Sequence, residues 1–113
     1  MKRNFSADNL IAGCNSTAMT DTTPTTIIAA QGANARVYIG TIVISNKSTG
    51  LETEVTISGL DDGPITVNAY PGSGFTVPLL FPLRGNANTA IVATCLSNGA
   101  SVRVIIAGLV DHL

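Results

Sequence analysis

The sequence has little charge. Six of its 113 residues are Lys or Arg and seven are Asp or Glu, which makes 12% charged residues and a net charge of −1. A soluble domain typically carries about 25% charged residues. Binding to nucleic acid or to an anionic membrane depends on clustered Lys and Arg. We therefore expect neither nucleic acid nor a membrane among the partners.

Aromatic residues, cysteine and histidine are also scarce. Aromatics make up 4% of the chain, tryptophan is absent, and there are two cysteines and one histidine. Cys14 and Cys95 lack the CxxC spacing of metal and redox sites, and we expect two free thiols, although a bridge between them stays open. His112 lies beside Asp111 but no Gly-x-Ser-x-Gly motif accompanies them. The sequence thus offers no catalytic, cofactor-binding or metal-ligating set, and we predict a protein that is not an enzyme and uses no cofactor.

Long apolar stretches free of helix breakers are absent too. The longest segment without charge, residues 63–83, contains four prolines. It cannot form the continuous helix of about 20 residues that crosses a membrane. Polar residues follow Met1-Lys2-Arg3, where a secretion signal requires an apolar run. We expect no membrane span and no secretion signal.

What the sequence does contain is a series of short β-branched runs bounded by Gly, Pro, Asn and Asp. In residues 52–58 polar and apolar residues alternate, which places Val55 and Ile57 on one face. Asn98-Gly99 predicts a hairpin between the last two runs. Because no segment has a helical period, we predict an antiparallel β-sandwich or jelly roll of seven to eight short strands.

The composition changes near residue 24. Residues 1–24 are polar and show little hydrophobic periodicity, whereas alternating runs begin at Thr25. We predict an extended N-terminal arm over residues 1–24 and a β-sandwich domain over residues 25–113. A disordered tail is the alternative interpretation of the first segment, because chain termini often fray.

Two predicted strands carry apolar residues on both faces. In residues 36–45, Val37, Ile39, Thr41 and Val43 share one face, and Tyr38, Gly40, Ile42 and Ile44 share the other. Residues 101–109 show a similar pattern. Cover on both sides explains it, supplied either by a loop or arm of the same chain or by another subunit. We favour the subunit, and the candidate subunit-interface residues are Tyr38, Ile42, Ile44, Ile105 and Leu109.

Residues 77–90, Val-Pro-Leu-Leu-Phe-Pro-Leu-Arg-Gly-Asn-Ala-Asn-Thr-Ala, resemble a pattern found in small virion proteins of tailed bacteriophages. In those proteins a proline-flanked strand leads into a loop and then into two final strands. Residues 91–96 and 101–108 continue the pattern here, and residues 38–45 show a weaker similarity to it. The similarity covers about the last third of the chain.

The resemblance implies a non-enzymatic structural protein of the phage particle, made in the host cytoplasm and located on the capsid surface of the virion. The most specific expectation is a capsid decoration, or cement, protein that binds and stabilises the assembled major-capsid shell. Its partners would be its own copies, with a homotrimer favoured, and the major capsid protein. The expected capsid-contacting residues of the arm are Lys2, Arg3, Asn4, Phe5, Leu10 and Ile11.

Two alternatives are open at this point. A tail, neck or baseplate component of the same particle would share these sequence features. A host-surface carbohydrate-binding module belongs to a different class, and it would present exposed aromatic side chains that stack on sugars.

Overall fold

The computed structural model describes residues 9–112, apart from the side chains of Pro78, Leu80 and Phe81. The described part of the chain contains eight strands. They are β1 (Leu10–Cys14), β2 (Thr25–Ile28), β3 (Ala35–Asn46), β4 (Thr53–Ser58), β5 (Ile65–Ala69), β6 (Ser73–Arg84), β7 (Ile91–Cys95) and β8 (Val102–His112). Within residues 9–112, no helix has the length and apolarity needed to cross a membrane.

The strands form two four-stranded antiparallel sheets that pack against each other. Sheet A has the order β1-β8-β3-β6 and sheet B the order β2-β7-β4-β5. Strand β1 pairs with β8, β2 with β7, β3 with β6 and β4 with β5, all antiparallel. This nested pairing is that of a jelly roll, in which a long double-stranded ribbon folds over to give two sheets. The predicted fold class is confirmed.

The core lies between the sheets and consists mainly of β-branched side chains. Val55 and Ile57 of β4 are fully buried, as the alternation of that segment predicts, and they pair with Val67 and Ile65 of the neighbouring strand. Complete burial of such a side chain contributes about 1.5–3 kcal/mol. Sheet A supplies an inward row from β8 made of Val102, Val104 and Ile106, all at 0% exposure. These inward rows hold the two sheets together.

Strand β3 has a β-bulge at Gly40, and odd-numbered residues face the core before the bulge whereas even-numbered residues face it afterwards. The register of β3 against β8 shifts between Ile39 and Thr41, so Gly40 is the extra residue. A one-residue insertion exchanges the two faces of a strand. Val37 and Ile39 point inward before the bulge, and Ile42 and Ile44 point inward after it. The sequence pattern of this strand shows two apolar faces partly because its inward-facing residues change from odd to even positions at the bulge.

The sandwich begins earlier in the chain than the sequence predicts. Residues 10–14, placed in an extended arm by their composition, form β1 and pair with β8 along its residues 105–109. Asn15 and Met19 beyond β1 are 1% and 4% exposed. The predicted boundary at residue 25 is thus corrected to the start of β1 at residue 10. A five-residue strand gave too short an alternating pattern to be recognised in a polar context.

The last two strands do not form the predicted hairpin. Gly99 adopts a positive φ of 95°, as the Asn-Gly turn signal requires, but β7 belongs to sheet B and β8 to sheet A. The turn therefore crosses from one sheet to the other, and the Gly99 N–H donates to the Thr20 carbonyl oxygen at 2.9 Å. Turn chemistry is local, whereas strand pairing is decided by the packing of the whole sandwich.

Candidate functional site

The outer face of sheet A carries three rows of side chains that run across its strands. The first row is Leu10, Leu109 and Tyr38, the second is Ala12, Ala107 and Thr41, and the third is Cys14, Ile105 and Val43. Directly paired residues lie on the same face of a sheet, and these nine alternate with the buried inward residues. We call these three rows the apolar patch.

Much of the apolar patch is accessible in the single chain. Leu10 is 64% exposed and Ile105 is 46% exposed, and they are two of the five large apolar side chains that are exposed in the described part of the chain. Cys14 is also exposed. Contiguous exposed apolar surface on a monomer often marks a site of interaction with another molecule. The outer face of sheet A is therefore the candidate functional site.

A shallow groove of about 590 Å³ runs across the patch between the first and second rows. Its floor is built from small residues, among them Ala12, Gly40 and Ala107, and its wall includes Leu10 and Leu109. The adjacent Gly108 allows the strands to approach closely, because a Cβ atom there would lie 1.9 Å from the Tyr38 carbonyl oxygen. Small residues on adjacent strands thus create the groove.

Arginine side chains flank the patch at both ends. At one end Arg36 lies across from Asp111, and Arg84 forms an ion pair with Asp61. The hydrogen bond and the charge of Asp61 raise the pKa of Arg84 further above its ordinary value. At the other end the exposed Arg103 donates from Nη1 to the Asn15 carbonyl oxygen at 3.4 Å. The patch is consequently apolar in its centre and charged at its rim.

Asn15 fastens β1, and with it one margin of the patch, to β8. Its Nδ2 group donates to the carbonyl oxygens of Thr17 and Val102, both at 2.9 Å. Its Oδ1 atom accepts from the Val104 N–H at 2.8 Å. The buried amide therefore continues the backbone ladder of β1 by one further step, as a buried polar group must be hydrogen-bonded.

The residues predicted for a subunit interface are placed in two different environments. For Ile42 and Ile44 the prediction is wrong, because the bulge at Gly40 turns both side chains into the core, where they are 0% exposed. Ile105 and Leu109 lie on the outer face of sheet A, and Tyr38 lies beside them but is only 8% exposed. An interfacial role for these three residues stays a prediction.

The residues predicted for a capsid-contacting arm are likewise divided. Lys2, Arg3, Asn4 and Phe5 lie outside the described residues. Leu10 points outward from β1, whereas the half-buried Ile11 packs against the core. Leu10 therefore belongs to the apolar patch rather than to an arm. Sequence reasoning missed Ala12 and Cys14 for the same reason that it missed β1.

The two cysteines have opposite environments and are both free. Cys14 is exposed on the outer face of sheet A, whereas Cys95 is 1% exposed at the end of β7. Burial raises the pKa of the Cys95 thiol, and the nearby Asp21 carboxylate adds to that effect. Because the thiolate is the reactive form, Cys14 is the thiol that can react at this face.

Residues 85–88 connect three loops through hydrogen bonds. The N–H groups of Gly85, Asn86 and Asn88 donate to the carbonyl oxygens of Val37, Gly59 and Ala35, at 2.7–2.9 Å. The Asn88 Oδ1 atom accepts from the Gly32 N–H at 3.1 Å. A Cβ atom at Gly85 would lie 2.9 Å from the Val37 carbonyl oxygen. The Arg-Gly-Asn-Ala-Asn sequence thus has a structural use at one end of the sandwich.

Within residues 9–112, no group of three or more His, Cys, Asp and Glu side chains is close enough to hold a metal ion. Of the described aromatic side chains, Tyr38 is buried, Phe75 is half-buried in β6 and Tyr70 is 53% exposed after β5. No protein-family model matches the chain, and no curated protein is significantly similar to it.

Proposed function

We propose that this protein is a non-enzymatic structural protein of a bacteriophage particle that binds the assembled major-capsid shell through the apolar patch on sheet A. The observation that carries the proposal is the exposure of Leu10 and Ile105 on one outer face of a jelly roll. A jelly roll is an architecture used by viral capsid domains. The resemblance of residues 77–90 to phage virion proteins supports the same role.

The proposed mechanism is linkage between binding and shell stability. A protein that binds the assembled shell and not its free subunits lowers the free energy of the shell by mass action. At a free concentration of about 100 times Kd, each occupied site contributes about 2.7 kcal/mol. The protein would thereby resist the internal pressure of packaged DNA. Self-association as a homotrimer, which the resemblance implies, stays a prediction.

Co-sedimentation with purified capsids that lack this protein tests the proposal. The variant Ile105→Thr/Leu109→Thr replaces two apolar side chains of the patch. Each buried side chain of this size contributes about 1.5–3 kcal/mol, so we expect at least about 30-fold weaker shell binding, which corresponds to about 2 kcal/mol.

The matched control is Leu51→Thr/Leu96→Thr. These leucines are 51% and 54% exposed and lie outside the patch, so the control removes similar apolar area from elsewhere. It should bind like the unchanged protein. The proposal is wrong if the unchanged protein does not sediment with capsids, or if the two double variants lose binding equally. Binding to purified tails instead of capsids would indicate that the protein is a tail, neck or baseplate component.

A further inference from the structure

Four strands border the two sheets of the sandwich. Strands β1 and β6 are the edges of sheet A, and β2 and β5 are the edges of sheet B. An edge strand presents unpaired N–H and C=O groups to which another strand can add. Proteins prevent such addition with prolines, bulges, charges or very short strands.

Two of these edges carry such a protection, and prolines flank a third. Strand β6 contains Pro78 and Pro82, and its register against β3 is broken between Ile39 and Thr41. The register of β2 shifts between Thr26 and Ile28. Strand β5 is preceded directly by Pro64 and followed closely by Pro71. Proline cannot donate to a ladder, and a bulge bends the edge away from a regular partner.

The remaining edge, β1, is as short as β5 but has no proline within or beside it, no charge and no bulge. Its sequence Leu-Ile-Ala-Gly-Cys contains no proline and no charge, and all five residues pair with β8 in an unbroken register. Among the described residues, no strand pairs with its outer edge. The exposed Leu10 and Cys14 lie on this strand, so the apolar patch reaches the edge itself. Strand β1 is therefore the edge best suited to strand addition.

We propose that the outer edge of β1 pairs antiparallel with β1 of a second copy of this chain, around a two-fold axis at Ala12. This register overlaps all five residues of both strands. It places Leu10 opposite Cys14 of the second copy and Ile11 opposite Gly13 of the second copy. Each large side chain thus meets a small one.

The glycine in this register cannot be replaced by a larger residue. A Cβ atom at Gly13 would lie 2.0 Å from the Ile27 carbonyl oxygen, because the backbone of β2 fills the space on the inner side of this residue. Ile11 of the second copy is therefore opposed by no side chain at position 13. A two-fold contact uses the same surface on both copies, and β1 is complementary to itself in this sense. Pairing joins two four-stranded sheets into one of eight strands with the two apolar patches side by side.

This inference specifies the self-association contained in the proposed function, and it assigns that association to the edge of sheet A while shell binding uses the face. A two-fold pair gives a dimer of twice 11.6 kDa in place of the predicted trimer. A protein that dimerises through β1 but ignores capsids would overturn the proposed function alone. A trimer that binds capsids would overturn this inference alone.

Disulfide trapping of Leu10→Cys tests the register directly. Directly opposite residues of an antiparallel pair have Cα atoms about 4.5–5.5 Å apart, within the range of about 4.4–6.8 Å that a disulfide spans. Within one chain, positions 10 and 14 are separated by about 13 Å along the strand, so a bond between them must join two copies. With oxidised glutathione as oxidant, we expect the variant to become a covalent dimer through its own Cys14.

The matched control for trapping is Leu10→Cys/Cys14→Ser, which should stay non-covalent under the same oxidation. Failure of Leu10→Cys to form a covalent dimer overturns the proposed pairing. A covalent dimer that persists in the double variant would join position 10 to itself, and it would equally overturn the register.

Reversible association is measured by sedimentation of the unchanged protein, Leu10→Lys and Leu51→Lys. A lysine on an edge strand opposes strand addition, so Leu10→Lys should dissociate at least tenfold more readily. Leu51, which is 51% exposed outside the strands, provides the control and should leave the dimer intact. A monomeric unchanged protein, or equal effects of the two lysines, contradicts the inference. Thermal unfolding checks that both variants are folded.

Discussion

The outer faces of the two sheets are both poor in charge, but they differ in the polarity of their uncharged side chains. The outer face of sheet A presents the apolar patch. The outer face of sheet B presents mainly hydroxyl and amide groups, from Thr26, Thr56, Ser58, Thr66, Asn68 and Thr94, together with Glu54 and Val92. One composition thus gives one face suited to water and one face suited to another protein.

Hydroxyl groups replace charge on sheet B. The side chains of Thr56 and Thr66 form a hydrogen bond of 3.2 Å across β4 and β5, and the Ser58 hydroxyl donates to the Val92 carbonyl oxygen at 3.4 Å. Threonine also favours strands because its branched side chain packs well on a pleated surface. The low charge of the chain therefore has two causes, and only that on sheet A indicates an interaction site.

The largest expected effect separates the inner from the outer face of β8. Ile106 is 0% exposed between the sheets, whereas its neighbour Ile105 is 46% exposed on the apolar patch. We expect Ile106→Ala to lower the free energy of unfolding by about 4 kcal/mol through the cavity it leaves. Ile105→Ala should lower it by only about 1 kcal/mol, because about half of its surface is already in water. Urea unfolding measures both, and equal losses would contradict the assignment of faces.

A smaller effect is expected where the bulge of β3 meets β8. A Cβ atom at Gly108 would lie 1.9 Å from the Tyr38 carbonyl oxygen, whereas one at Gly40 would meet only the Ala107 carbonyl oxygen at 3.8 Å. Gly108→Ala should therefore cost about 3 kcal/mol as an overpacked substitution. Gly40→Ala should change stability by less than about 0.5 kcal/mol. Thermal unfolding distinguishes the two, and a tolerated Gly108→Ala would show that the strands are not this close.

The smallest effect comes from making sheet B resemble sheet A. Thr56→Val/Thr66→Val removes one exposed hydroxyl pair and keeps the side-chain shapes, so stability should change by no more than about 0.5 kcal/mol. Binding to capsids should not improve, since the groove and the small residues that form it are on sheet A. Unfolding and co-sedimentation measure the two quantities. A gain in capsid binding would mean that apolarity by itself, without the shape of the patch, is sufficient.

Much of the fold follows from local patterns in the sequence. Alternation in residues 52–58 and 65–69 predicts the inward and outward residues of β4 and β5, and both strands have that arrangement. Gly63, in the sequence Asp61-Asp62-Gly63, has a φ of 98°, as such a turn sequence favours. These features depend on neighbours in the chain, so the residue pattern itself carries them.

The candidate site could be predicted only in part. The pattern of residues 101–109 predicts that Ile105 and Leu109 oppose the inward row of β8, and they do so because β8 alternates without interruption. Their role in an interface stays a prediction. The sequence predicts Ile42 and Ile44 at an interface, but the extra residue at Gly40, which no local pattern indicates, turns them into the core. The sequence places Leu10 in an arm, because β1 is a strand only through its pairing with β8, in which the paired residues are 91 or more positions apart.

Composition and local alternation by themselves determined that this chain forms short strands in a sandwich and carries too little charge to solvate its surface in the usual way. The tertiary structure alone decided which apolar residues face outward, which strands border the sheets and where the Asn-Gly turn leads. The physical reason is that facing changes with a single inserted residue, and that edges are defined by pairing between distant segments. Both depend on contacts that no short stretch of sequence contains.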